Sequence, residues 1–97
     1  MAQTIDELTA NYTNEEGQEL CKELKKEVLS RGGWTTIMFM YQEWNKKTEE
    51  WGAPKARIER FQKRNGEFRS QSRFNFSSAK QARQIIDVLD DWFPEES

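Results

Sequence analysis

The sequence predicts an α+β domain with an N-terminal helix, a three-stranded antiparallel sheet with room for a fourth strand, and a C-terminal helix packed on one sheet face. Three observations predict it. Leu20, Leu24 and Val28 recur every four residues, the spacing of one face of a helix. Residues 34–44 are rich in β-branched and aromatic side chains, which favour strands, and residues 56–63 and 68–76 alternate as strands do. Ala82, Ile85, Ile86, Leu89, Trp92 and Phe93 then form an apolar stripe that stops at Pro94, a residue that ends helices.

Taken in order, residues 1–12 are polar and are expected to form a flexible terminus, leaving 13–97 as a single domain. Thr13 and Glu16 have the spacing of a capping box, which opens a helix over residues 14–31. Cys21 and Leu29 flank its apolar stripe, and Gly32-Gly33 stops it. Along residues 34–44, Ile37, Phe39 and Tyr41 share one face and Thr36, Met38, Met40 and Trp44 the other. Apolar residues on both faces predict a central strand. Trp34 and Trp92 lie on apolar patterns and are assigned to the core. Residues 45–54 read as a polar β-arm carrying Lys46, Lys47 and Trp51.

Arg64-Asn65-Gly66 marks a tight hairpin between the next two strands. Two registers compete. A two-residue Asn65-Gly66 loop pairs Phe61 with Ser70 and buries Phe61. A three-residue loop with Gly66 as a bulge pairs Ile58 with Ser72 and exposes Phe61. We favour the second, because it buries Ile58. Ser78 and Gln81 then make a second capping box at the start of the last helix.

Charge is distributed unevenly. Between Asn45 and Gln84 there are eleven basic and four acidic residues, a net of +7; residues 1–44 carry a net of −4 and residues 85–97 a net of −5. The whole chain is at −2, so the acidic average hides a basic zone able to steer a polyanion. Aromatic residues are interleaved with these cations. Single-stranded nucleic acid is met by that combination, because phosphates take cations and bases stack on rings.

The favoured register turns Arg57, Phe61 and Lys63 toward the open sheet face, beside Arg69, Gln71 and Arg73. Lys46 and Lys47 on the β-arm, and Lys80 and Arg83 near the start of the last helix, extend the cationic surface. The competing reading is a solvated charged face, which many half-exposed sheets have. A nearly single-signed face that also carries a Phe favours binding. Ser77-Ser78 with Lys80 and Arg83 also has the makings of a phosphate site at a helix N-terminus, although plain capping is the commoner use of such serines.

Other classes find little support. The chain has no His, which removes the usual general base and the commonest metal ligand. It has no Gly-rich phosphate loop and no metal-ligand spacing, so neither enzyme activity nor a cofactor or metal is expected. A lone Cys21 gives no internal disulfide and fits a reducing, cytoplasmic setting. No signal peptide or membrane span is expected. Mean hydropathy is −1.02, and the small supply of aliphatic residues leaves a homodimer as a way to complete the core.

The hairpin 57–76, the phrase Phe74-Asn75-Phe76-Ser77 and the long final helix together resemble the single-stranded-DNA-binding transcriptional coactivator family (positive cofactor four and its bacterial and phage relatives). The resemblance covers about residues 34–93 and is one of pattern. It implies a curved antiparallel sheet followed by a helix, dimerisation through that helix, and single strands bound by basic and aromatic sheet residues. On those terms Lys63, Arg69 and Arg73 sit on binding strands, Phe61 stacks on a base, and the role is accessory to transcription or replication. The N-terminal helix and the count of three strands depart from that pattern. The predicted order helix–strand–strand–strand–helix is also similar to the double-stranded-RNA-binding domain, with Ser77-Ser78-Ala79-Lys80-Gln81-Ala82-Arg83 at the basic start of its second helix. A protein-interaction module using the acidic helices or the aromatic arm is the third reading.

Overall fold

Residues 19–30 form a long strand, not the helix expected over 14–31. This is the main correction in the computed structural model, which describes residues 3–76 and 78–95. A 3-10 turn at Ile5–Glu7 is followed by β1 (Tyr12–Thr13), β2 (Glu19–Ser30), β3 (Trp34–Asn45), β4 (Glu50–Trp51), β5 (Lys55–Arg64), β6 (Glu67–Phe76) and α1 (Ala79–Trp92). All pairings are antiparallel, in the order β1-β2-β3-β5-β6, with β4 folded back on the end of β3. The sheet curls into a half-barrel. The predicted three-stranded sheet between two helices is therefore replaced by a six-stranded sheet with one C-terminal helix.

The misreading of β2 has a physical cause. Its register against β3 shifts between Glu23 and Lys25 and again between Val28 and Ser30. Each shift inserts an extra residue and changes which face the next residues meet. Alternation with period two is broken, and Leu20, Leu24 and Val28 are left at a spacing that imitates a helix. Glu, Lys and Leu favour helices only weakly, and pairing along the length of β3 overrides that preference. The supposed capping box at Thr13 is a turn instead. Asn14 Oδ1 accepts from the backbone N–H groups of Glu16 and Gln18 at 3.0 and 2.9 Å.

The inner face of the half-barrel holds the core: Ile37, Phe39 and Tyr41 from β3, Phe61 from β5 and Phe68 from β6, joined by Leu8 and Ala10. The N-terminal segment reaches this face through polar anchors on β2. Glu23 accepts from Thr9 Oγ1 and Ala10 N at 2.9 and 3.1 Å. Its own N–H donates to Asn11 Oδ1 at 2.7 Å. Lys26 Nζ donates to the carbonyls of Ile5 and Leu8, both at 2.7 Å. Glu23 and Lys26 pair with Tyr41 and Phe39 on the inner face, so β2 turns polar groups inward and satisfies them on the backbone of residues 5–10.

Asn65-Gly66 is the hairpin loop. Arg64 pairs with Glu67, and both loop residues have positive φ, 51° and 79°, as a type I′ turn requires. The favoured three-residue loop is thus overturned. The bulge lies further along, where the register shifts between Arg60 and Phe61 and leaves Gln71 unpaired on β6.

The C-terminal helix starts where the sequence places it. Ser78 is the N-cap and its hydroxyl accepts from Gln81 N at 3.1 Å. The packing of the helix on the sheet is sparse: Phe74, on the outer face opposite Ile58, shares a groove with Ile85, Leu89 and Trp92. Its main neighbour among the strands is the edge strand β6, and Ile86, Val88, Leu89 and Trp92 are exposed. Among the described residues no helix is long and apolar enough to cross a membrane.

Candidate nucleic-acid interface

Directly paired residues on antiparallel strands share a face, so the register assigns each candidate to a side. Arg57, Phe61, Lys63 and Arg73 lie on the inner face, with their pairing partners Asn75, Ser70, Phe68 and Glu59. Phe61 is buried in the core, where it is unavailable to stack on a base. Lys63 lies over the Phe68 ring, 5.4 Å from its centroid. Arg57 and Arg73 both bond the buried carboxylate of Glu59. Arg69 pairs with Gln62 on the outer face and lies 3.7 Å from Glu67. Gln71 occupies the bulge, and its amide donates to the Arg69 carbonyl at 3.4 Å. The bulge therefore divides residues that the sequence gathers on one face.

Lys46 and Lys47 sit at the tip of the β3–β4 arm, around a depression shared with Trp44 and Lys55. The tip is built locally. Asn45 Oδ1 accepts from Lys47 N and Thr48 N at 2.9 and 3.3 Å, and Gly52 N donates to the Glu43 carbonyl at 2.9 Å. Lys80 and Arg83 are exposed on α1, apart from the arm. Ser77, half of the serine pair suggested as a phosphate site, lies outside the described residues.

With the inner face occupied, the more open face is the outer one, although Phe76 is buried on it beside Ala56. Its centre is apolar. Met38 pairs with Ile58 and Met40 with Ala56, and Lys25, Glu27, Met38, Met40 and Ala56 line a shallow depression of about 470 Å³. Aromatic–cation pairs stand at both ends. At one end the guanidinium of Arg60 lies over Trp34, 4.7 Å from the ring centroid. At the other, Lys22 Nζ lies over Trp51 at 4.7 Å, and Trp51 meets Trp44 edge-on at 5.5 Å. Trp34 is 44% exposed, which corrects its assignment to the core. From Trp34 to Trp44 along β3 the track runs roughly 33 Å at the usual rise per strand residue.

Trp34, Arg60 and Lys22 are the residues that sequence reasoning missed. The signal for Trp34 and Arg60 was parity. Once Thr35, Ile37 and Phe39 point inward, Trp34 points outward, and Arg60 shares its side with Ile58 rather than with Glu59. Lys22 had no such signal, because its strand was hidden by two bulges.

Two further groups are tuned by their surroundings. Burial pushes the Cys21 thiol up from its ordinary pKa, with Arg57 and Arg73 pulling the other way. The Glu43 carboxylate, 2.7 Å from Lys55 Nζ, raises the pKa of that ammonium. Among the described residues no group of three or more His, Cys, Asp and Glu is placed to hold a metal ion. Compared with protein-family models, curated proteins and solved structures, the chain has no match.

Proposed function

We propose that this chain binds single-stranded nucleic acid along the outer face of its sheet, as a non-catalytic homodimeric accessory to transcription or replication. The observation that carries the reading is the pair of cation–ring contacts, Arg60 on Trp34 and Lys22 on Trp51, at the two ends of β3 on the outer sheet face. Flat rings accept any base, and the cations beside them meet the backbone. Arg69 on the same face and Lys46 and Lys47 at the arm add to the field. A curled antiparallel sheet followed by one helix is also what the resemblance to the single-stranded-DNA-binding coactivator family implies. The exposed apolar side of α1 supports the homodimer. The helix-first order that resembled the double-stranded-RNA-binding domain is absent, so that reading loses its basis.

Tryptophan fluorescence tests the proposal, with a single-stranded oligonucleotide compared with duplex DNA and duplex RNA at two salt concentrations. The single strand is expected to quench saturably and to weaken with salt, because bound phosphates release counterions. Trp34→Ala removes one stacking platform and is expected to weaken binding about tenfold, the low end of the 1–3 kcal/mol measured per stacked base. Arg69→Glu weakens it as well, whereas Arg73→Gln, on the other face, does not. Equal affinity in wild type and a Trp34→Ala, Arg60→Ala double variant would sink the outer-face reading, and preference for duplex RNA would sink the single-strand reading.

A further inference from the structure

The inner face carries a second, separate arrangement. A cavity of about 500 Å³ opens beside the N-terminal segment, with Asn11, Tyr12, Cys21, Arg57, Glu59 and Arg73 on its walls. Arg57 is fixed before anything enters. Its side chain is only 11% exposed, and its Nε donates to Glu59 Oε1 at 3.0 Å. Its guanidinium lies 5.0 and 5.4 Å from the ring centroids of Tyr41 and Phe39, both in the core. Among the described residues no acceptor meets its two Nη groups, and neither is sealed from solvent. Arg73 Nη2 takes the other oxygen of Glu59 at 2.9 Å, and its side chain is 50% exposed.

The charges at this cavity leave a cation in excess. Two guanidinium groups share one carboxylate, a net of +1, and Glu43, also on the wall, is neutralised by Lys55 just outside it. Glu59 is 3% exposed and both its oxygens are taken. It therefore holds the two arginines in place, leaving the outer edges of their forks toward the cavity. Forks of this kind match the terminal oxygens of a phosphate. A ring stands at the rim as well, since Tyr12 is 59% exposed.

We infer that this cavity is a binding site for a phosphate monoester carrying a base, its terminal phosphate on Arg57 and Arg73 and its base against Tyr12. The same chemistry is offered by a free mononucleotide and by the phosphorylated end of a strand. The site lies on the face opposite the outer track and does not depend on it.

Nuclear magnetic resonance of isotope-labelled protein reads the site directly, through the Nε–H groups of Arg57 and Arg73. The probes are inorganic phosphate, a mononucleotide, a terminally phosphorylated oligonucleotide and the same strand with hydroxyl ends. Saturable shifts of both groups with the mononucleotide, and weaker ones with phosphate, are expected. Arg73→Gln keeps the Arg57–Glu59 pair and the fold, and is expected to weaken the mononucleotide about tenfold, as loss of a charged hydrogen bond would. A response to the phosphorylated strand but not to its hydroxyl twin identifies strand ends as the source; a response to the mononucleotide alone identifies the free nucleotide. The inference is overturned if neither arginine shifts saturably with any probe at millimolar concentration, or if Arg73→Gln leaves the mononucleotide affinity unchanged, and the trio is then an ion pair that only holds the sheet. Because the readout is local to the inner face, these outcomes are independent of binding at Trp34.

Discussion

At the scale of single residues, Glu59 connects stability to binding. It lies near the middle of β5, opposite Arg73 on β6, and is the one acidic side chain among the buried residues of the described chain. Taking a carboxylate out of water costs several kcal/mol, and the two arginine bonds offset that cost. Truncating one partner is worse than never having had the pair, because the remaining charges stay on a partly dry face. Glu59→Ala is therefore expected to destabilise the fold by about 3–5 kcal/mol, the range for breaking a buried ion pair, read as a lower midpoint in urea unfolding. Glu59→Gln keeps the shape and one acceptor oxygen and is expected to lose less. A loss under about 1 kcal/mol in Glu59→Ala, the value for surface pairs, would mean that solvent reaches the trio freely. In the sequence, Arg57, Glu59, Phe61 and Lys63 were legible as one face by alternation alone. What alternation does not carry is which face is covered. That depends on Leu8 and Ala10, and on the anchors that Glu23 and Lys26 give to the backbone of residues 5–10. Once that segment occupies the inner face, Phe61 becomes core and the open face is the one bearing Trp34 and Arg60.

At the scale of elements, legibility follows how local the signal is. The place of the β5–β6 turn and the start of α1 were legible, though the hairpin register was not. Asn65-Gly66 needs only its own two φ angles, and the Ser78 cap only a residue three positions on. β2 was not legible, since its conformation is decided by pairing with β3 and its two bulges erase the period-two pattern. The turn makes a quantitative test of the local part. Gly66 has φ 79°, and a Cβ added there meets nothing within 4 Å. Gly66→Ala thus has only a backbone cost, expected to be about 1 kcal/mol for forcing an ordinary residue into the left-handed region. Gly33, in the β2–β3 turn, also has open space around it but no left-handed φ. Gly33→Ala is expected to be neutral or to stabilise by up to about 1 kcal/mol, through the entropy it removes from the unfolded chain. Urea unfolding of the two variants separates these outcomes. Equal effects at both glycines would show that the positive φ at Gly66 is not what constrains this hairpin.

At the scale of the whole molecule, the chain is thin for its length. Its extents are 52 × 40 × 18 Å and its radius of gyration is 15.5 Å, against about 13 Å for a compact domain of this size. The excess comes from a curled sheet covered mainly on one side and a helix that packs sparsely beside the edge strand. The apolar side of that helix faces out. Phe74, Ile85, Val88, Leu89 and Trp92 line one open groove, with Ile86 and Phe93 also exposed. Patches of this kind are uncommon on isolated soluble chains, and a second copy related by a twofold axis presents the same apolar strip to the first. Burial of the paired strips would add core that a chain so poor in aliphatic residues lacks on its own, at roughly 25 cal/mol for each Å² of apolar surface removed from water. Trp92 is 68% exposed, so Trp92→Glu removes little from the isolated chain while setting a charge on each side of the shared strip. Sedimentation equilibrium is expected to give twice the chain mass for wild type and the single-chain mass for Trp92→Glu, with an unchanged far-ultraviolet circular dichroism spectrum. A wild-type protein that sediments as a single chain across the concentration range would remove the homodimer and leave the helix face open to a different partner. If the two copies do pair along α1, their sheets are carried together, with the Trp34–Arg60 and Lys22–Trp51 contacts outside the paired strip. A strand long enough to cross both then meets two tracks, and its affinity should fall more steeply than that of a short strand when Trp92→Glu separates the copies.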